Sequence, residues 1–243
     1  MSHATAIPSL RAGSCQVWWA HPDAASETLL DLLDDAERRR HARFLRAEDR
    51  RRFVVAHALA RIVAGRQAAV RPREIRYADG GSHAKPRFAG PAAGLEVSIS
   101  HSAGRVVVAL SRGVELGVDV ERVAVAGDDR SLAESVLCPD ELRELSVLPD
   151  PTRAWAFCRY WTRKEALLKA TGHGLSVEPN RIAVTPPTRP AALVSWTGPA
   201  RPQQPVYLHD LDAGAGYAAS LATIGSHLER SEHDATTLLG AGR

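Results

Sequence analysis

Apolar positions in the first third of the chain fall at helical spacing twice. Leu29, Leu30, Leu32 and Leu33 follow Ser26, a residue type that caps helix starts well, and predict a helix there. Phe53, Val54, His57, Ala58, Arg61 and Ile62 predict a longer helix from about Glu48 to Ala69, which Pro72 stops. A strand over Cys15–Ala20 precedes both. Residues 78–94, rich in Gly, Pro and Ala, read as a loop. The period then changes to two. Segments at Glu96–Ser100, Arg105–Ser111 and Val114–Glu121 alternate or run apolar, with turn residues between them, and predict an antiparallel meander. In the last of these, Leu116, Val118 and Val120 share one face. Asp119 and Glu121 share the other, about 7 Å apart along the strand.

The second half repeats the plan. A helix is predicted near Ser131–Val136 and another from Pro139, where proline suits the first turn. A long helix follows, with Asp150 as cap, Pro151 at its start and Gly172 closing it. On it Trp161, Glu165 and Lys169 form a single stripe, with Lys164 on the flank. Strand patterns appear at Ala192–Thr197, Pro205–Leu211 and Tyr217–Ile224. The expected fold class is α+β, with two similar α/β subdomains forming a pseudo-dimer, each an antiparallel sheet packed by helices. Residues 1–121 would be the N-terminal subdomain, holding the basic helices and the acidic strand. Residues 122–130 read as a linker, 131–225 as the C-terminal subdomain, and 226–243 as a small, polar, disordered tail.

Composition narrows the chemistry only where it is uneven. The 243 residues are 44% hydrophobic and 24% charged, ordinary for a globular protein, and the net charge of +3 is mild. Cys15, Cys138 and Cys158 are odd in number and far apart, which argues against a disulfide framework or zinc site and for a reducing cytosol. Neither a signal peptide nor an apolar run long enough for a membrane span is seen, so cytoplasmic localisation is expected. Lysine is the uneven part. Of 31 Lys and Arg residues, only Lys85, Lys164 and Lys169 are lysine. A compact ammonium with three rotatable donors suits crowded phosphate oxygens better than a planar guanidinium.

Asp119, Glu121 and Glu165 make a hard-oxygen set suited to Mg2+, or to Mn2+, beside lysines suited to a polyphosphate. An arginine run from Arg38 to Arg52 is interleaved with acids and reads mainly as a solvated, paired face. Two rival classes share these features. A magnesium-dependent nuclease would use the same acids, but its lysine usually follows an acid on one strand, whereas Lys164 precedes Glu165 on a helix. An arginine-rich nucleic-acid-binding module lacks the aromatic interleaving such surfaces carry.

Gly117-Val-Asp119-Val-Glu121 and Trp161-x-x-Lys164-Glu165-Ala-x-x-Lys169-x-x-Gly172, in that order, resemble the two signature blocks of the Sfp-type 4′-phosphopantetheinyl transferases. Ser98-Ile-Ser100-His101-Ser102 is similar to the family's S-H-S segment, and Lys85-Pro86 to its G-K-P loop, with Ala84 in place of glycine. The resemblance covers roughly residues 15–225. It implies a monomeric, magnesium-dependent enzyme that moves phosphopantetheine from coenzyme A to a serine of an apo acyl or peptidyl carrier protein, with no nucleic-acid or membrane partner. Adenosine 3′,5′-bisphosphate would be the second product. It further implies Asp119, Glu121 and Glu165 as metal ligands, with Glu165 also able to take the serine proton. Lys164 and Lys169 would hold pyrophosphate oxygens. Ser100 and His101, in the turn after a strand, would contact phosphates, as would Arg46 and Arg51. Lys85 would reach the 3′-phosphate region. Coenzyme and metal are expected between an acidic strand of the first half and a helix of the second.

Overall fold

The computed structural model describes residues 7–78, 85–123, 130–198 and 200–240. Strand β1 (Ser14–Ala20) is followed by helices α1 (Glu27–Leu30), α2 (Asp35–Ala42) and α3 (Ala47–Ala68). Short strands β2 (Arg76–Tyr77) and β3 (Phe88–Ala89) lead to β4 (Leu95–Ser102), β5 (Arg105–Arg112) and β6 (Leu116–Arg122). Helices α4 (Arg130–Val136), α5 (Pro139–Ser146) and α6 (Asp150–Thr171) come next. Strands β7 (Ile182–Val184), β8 (Leu193–Trp196), β9 (Val206–Leu211), β10 (Tyr217–Ile224) and β11 (Glu229–Asp234), then α7 (Thr236–Gly240), complete the order. This is a mixed helix-and-sheet chain with several antiparallel sheets. The expected linker falls largely on residues 124–129, outside the described residues.

Two compact units divide the chain. One comprises Met1–Gly80, Pro86–Gly113 and Leu228–Arg243; the other comprises Gly81–Lys85 and Val114–His227. In the first, a sheet ordered β11-β1-β5-β4 is antiparallel except for the β1–β11 pair. Helix α3 buries Phe53, Leu59 and Val63 in one core with Trp18, Val97, Val106 and Val108. The tail expected to be disordered is part of this unit. The His233 ring stacks on Trp18 with centroids 4.4 Å apart, Trp19 donates to Glu232 at 3.0 Å, and Ala235 and Leu239 are core residues. Its polar look arises because β11 is an edge strand, for which charged side chains are normal.

In the second unit, β6, β10 and β9 form an antiparallel sheet in the order β6-β10-β9, with β7 and β8 as a separate pair. The meander expected over β4–β6 therefore breaks at its second turn. Strand β6 pairs with β10, where Asp119 faces Ser220 and Gly117 faces Ala222. The acidic strand and α6 thus belong to one unit, not to separate halves with a boundary at 121. Helix α6 starts at Asp150, with Pro149 as N-cap one residue before the expected Asp150, and ends at Gly172 with φ of 75°. That left-handed conformation suits glycine. Except for partly exposed positions 161, 165, 169 and 171, the helix is buried from residue 160 to its end.

Candidate active site

Gly117, Asp119 and Glu121 alternate onto the face of β6 that meets α6. Strand and helix approach unusually closely. A Cβ on Gly117 would lie 2.1 Å from the Ala166 carbonyl oxygen and 2.3 Å from the Ala170 nitrogen. Ala166 and Ala170, both fully buried, supply the matching shallow groove. This contact sets Asp119 under the last turns of the helix. There Lys169 Nζ donates to Asp119 Oδ1 at 2.6 Å, with Asp119 only 2% exposed.

Glu165, one turn earlier on the stripe, stands beside the same charges. Burial pushes its carboxyl up to about 7, and the negative charges of Asp119 and Glu121 add to the rise while Lys169 opposes it. Its Oε1 is buried and has no hydrogen-bond partner among the described residues. A carboxyl raised in the folded state contributes most to stability below its ordinary range, and that contribution is lost as pH rises toward 7. Glu165→Gln is therefore expected to raise Tm at pH 8 and to leave it nearly unchanged at pH 4. The gain should be on the order of 1–3 kcal/mol, discounted for partial exposure. Calorimetry at the two pH values in chelator checks this, and a lower Tm at pH 8 would contradict it.

Beneath this cluster lies a polar layer that sequence reasoning missed. The Thr162 and Ser220 hydroxyls are 3.1 Å apart, and Asp210 accepts from Arg163 at 3.0 and 2.7 Å and from Arg159 at 2.6 Å. Arg163 is fully buried and also donates to the Thr185 oxygen at 2.6 Å and the Arg189 oxygen at 2.9 Å. These bonds hold α6 in rotational register on the sheet. Sequence held a weak signal for them: polar residues at positions 162 and 163, adjoining the signature lysine.

Lys164 requires a correction. It points into the core, fully buried, and donates to the Val136 oxygen at 2.7 Å and to the Glu141 carboxylate. Glu141 in turn accepts from the Cys138 and Val184 backbone nitrogens, both at 2.9 Å. On a helix buried nearly all round, the flank of the stripe is interior, so Lys164 braces α5 against α6 and does not face pyrophosphate. Burial accordingly pushes its ammonium pKa down, against the pull of Glu141. Lys164→Met strands a buried carboxylate and should cost about 3–5 kcal/mol in urea unfolding, with KM for coenzyme A unchanged. A raised KM at full stability would return Lys164 to phosphate binding.

Lys85 joins the site's end of α6, donating to the Ala170 oxygen at 3.1 Å. Arg46, Arg51, Ser100 and His101 belong to the first unit. Arg46 is the N-cap of α3 and Arg51 lies in its exposed first turns. Ser100 and His101 lie within β4, with His101 opposite Val106, rather than in the turn that follows. Arg52, not singled out in the sequence, donates to the Ala103 oxygen at 3.3 Å, so the start of α3 and the S-H-S hairpin meet.

Whether this set suits a metal can be judged from its donors. Among the described residues no group of three His, Cys, Asp or Glu side chains is arranged to hold an ion. Asp119 and Glu165 nevertheless bring hard oxygens together, and Glu165 Oε1 is a buried oxygen that lacks a donor. Magnesium favours such partial sites, keeping one or two carboxylates and completing its shell with phosphates and water. The residues fit a magnesium-type ion of that kind.

A family model described as the 4′-phosphopantetheinyl transferase superfamily matches residues 115–222, all within the second unit. The chain is 37% identical over 177 residues to 4′-phosphopantetheinyl transferase HetI of a Nostoc species, covering 71% of this chain and 73% of HetI. It is 30% identical to a putative 4′-phosphopantetheinyl transferase of a Synechocystis species, covering 62% and 61%, and 26% identical to a Bacillus subtilis 4′-phosphopantetheinyl transferase, covering 69% and 74%. The chain belongs to the 4′-phosphopantetheinyl transferase superfamily and is an enzyme of that class.

Proposed function

We propose that the enzyme transfers 4′-phosphopantetheine from coenzyme A to a serine hydroxyl of an apo acyl or peptidyl carrier protein, releasing adenosine 3′,5′-bisphosphate. The observation that carries this reading is the placement of Glu165 and Lys169 around Asp119, acids and an ammonium on one face. In the reaction the serine oxygen forms a bond to the phosphorus bearing pantetheine, and the bond from that phosphorus to the nucleotide phosphate breaks. Glu165 accepts the serine proton, directly or through a water. Lys169 holds a leaving-phosphate oxygen. Asp119, Glu121 and Glu165 are the residues that hold Mg2+ or Mn2+, which supplies charge neutralisation on the diphosphate when bound. Ser100, His101, Arg46 and Arg51 contact the coenzyme's phosphates, and Lys85 its 3′-phosphate region.

Several finer features belong to the same reading. The two units are a duplicated plan, each with a mainly antiparallel sheet and one 22-residue helix, α3 or α6. The enzyme works as a cytosolic monomer without nucleic-acid or membrane partners. Its three cysteines are free, and no helix among the described residues is long and apolar enough to cross a membrane. The test is intact mass of a panel of apo carriers incubated with coenzyme A, enzyme and magnesium. One carrier should gain a single phosphopantetheine, and chelator or Asp119→Ala should prevent the gain. No gain on any carrier by folded enzyme would refute the reading.

A further inference from the structure

The contact between Lys169 and Asp119 puts a cation where a metal would bind. Asp119 is almost wholly shielded from water, and an isolated carboxylate there would be costly. Glu165 and Glu121 are further acids close to it. Lys169 Nζ, 2.6 Å from Asp119 Oδ1, supplies the positive charge the cluster needs. Its side chain is still 27% exposed, on a flexible stem in the last turn of α6. It is therefore held at the carboxylate yet not enclosed, in contrast to Lys164, whose ammonium is sealed in the core.

We propose that Lys169 is an exchangeable internal cation. In the metal-free enzyme it neutralises Asp119. When a divalent ion takes Asp119, like-charge repulsion releases the ammonium to the phosphates of the incoming coenzyme. Metal and coenzyme then bind with positive cooperativity: the metal frees the ammonium for the coenzyme, and the coenzyme draws the ammonium off the carboxylate. By linkage each raises the other's affinity by the same factor. The inference rests on the transferase reading, since it takes coenzyme A as the phosphate ligand and Asp119 as a metal ligand.

The test is Mn2+ binding to the full chain, followed by the electron paramagnetic resonance signal of free Mn2+, with and without coenzyme A and with no carrier present. In the wild type, coenzyme A should tighten Mn2+ at least about tenfold. Lys169→Met should bind Mn2+ without coenzyme at least about tenfold more tightly than wild type, and coenzyme should then tighten it by a smaller factor than it does in the wild type. Lys169→Gln, which can still donate to Asp119, guards against a folding defect in the methionine variant and should behave alike. Measured without coenzyme, Lys85→Met, which removes an equal charge at the same end of α6, should shift Mn2+ affinity less than about threefold, which separates exchange from a general charge effect. Tm offers a second readout: Lys169→Met should fall in chelator and recover with Mn2+. If wild type binds Mn2+ but neither Lys169 variant binds it more tightly, or Lys85→Met tightens it as much, exchange is refuted and the transferase reading stands. If no form binds Mn2+ with or without coenzyme, the metal assignment fails and the exchange fails with it.

Discussion

Gly117→Ala should abolish transfer and lower Tm sharply, although it adds one methyl group to a residue that touches no substrate. The new Cβ would fall 2.1 Å from the Ala166 oxygen and 2.3 Å from the Ala170 nitrogen, with the Lys169 carbonyl carbon at 2.9 Å. All three obstacles are backbone, so no rotamer change relieves them. Strand β6 and helix α6 must separate by about 1 Å to restore ordinary contact distances. Overpacking of this kind costs about 1–3 kcal/mol where side chains yield, and more where backbone must move. The same shift draws Asp119 away from Lys169 and Glu165, so catalysis should fail even in molecules that remain folded. Calorimetry with single-turnover kinetics checks this. Wild-type Tm and rate would show that the strand does not rest on the helix as closely as described.

Lys169→Arg should lose about 2–4 kcal/mol of transition-state stabilisation, roughly 30- to 700-fold, although charge is kept. The ammonium donates at 2.6 Å to a carboxylate that is only 2% exposed. A planar guanidinium needs more room and a fixed fork geometry. The loss should fall on kcat more than on KM, because the leaving-phosphate contact strengthens as charge develops. Tm in chelator should fall less than in Lys169→Met, since a positive charge is kept beside Asp119. Near-wild-type turnover would mean that lysine at 169 is an accident of composition.

Much of this site was legible in the sequence because its parts are local. Alternation on β6 put Asp119 and Glu121 on one face, and helical spacing put Trp161, Glu165 and Lys169 in one stripe, as the structure has them. Glycine at 117 and alanines at 166 and 170 were visible as letters. That they are small because a strand lies on a helix there is a tertiary fact, and no local pattern carries it. The misreadings share that cause. Lys164 reads as a surface cation until α6 is known to be buried on nearly every side, after which a lysine five residues before Lys169 must find a buried partner, Glu141. The departure of β6 from the β4–β5 hairpin to pair with β10 is a long-range choice. The tail reads as disordered because an edge strand needs few apolar residues, and its anchors, Ala235 and Leu239, are sparse. Similarly, Arg61 looks no different in the sequence from the arginines of the preceding run, yet it is fully buried against Asp34 and Glu37 while Arg46 and Arg51 are exposed.

The most direct test of the central claim, that Asp119, Glu165 and Lys169 form the reaction site, is a crystal structure with coenzyme A and Mn2+, the metal located by its anomalous scattering. The ion is expected in contact with Asp119 and Glu165, with Lys169 Nζ moved from Asp119 onto a diphosphate oxygen and Lys164 still bonded to Glu141. An ion and diphosphate bound away from this face of β6 and α6 would contradict it.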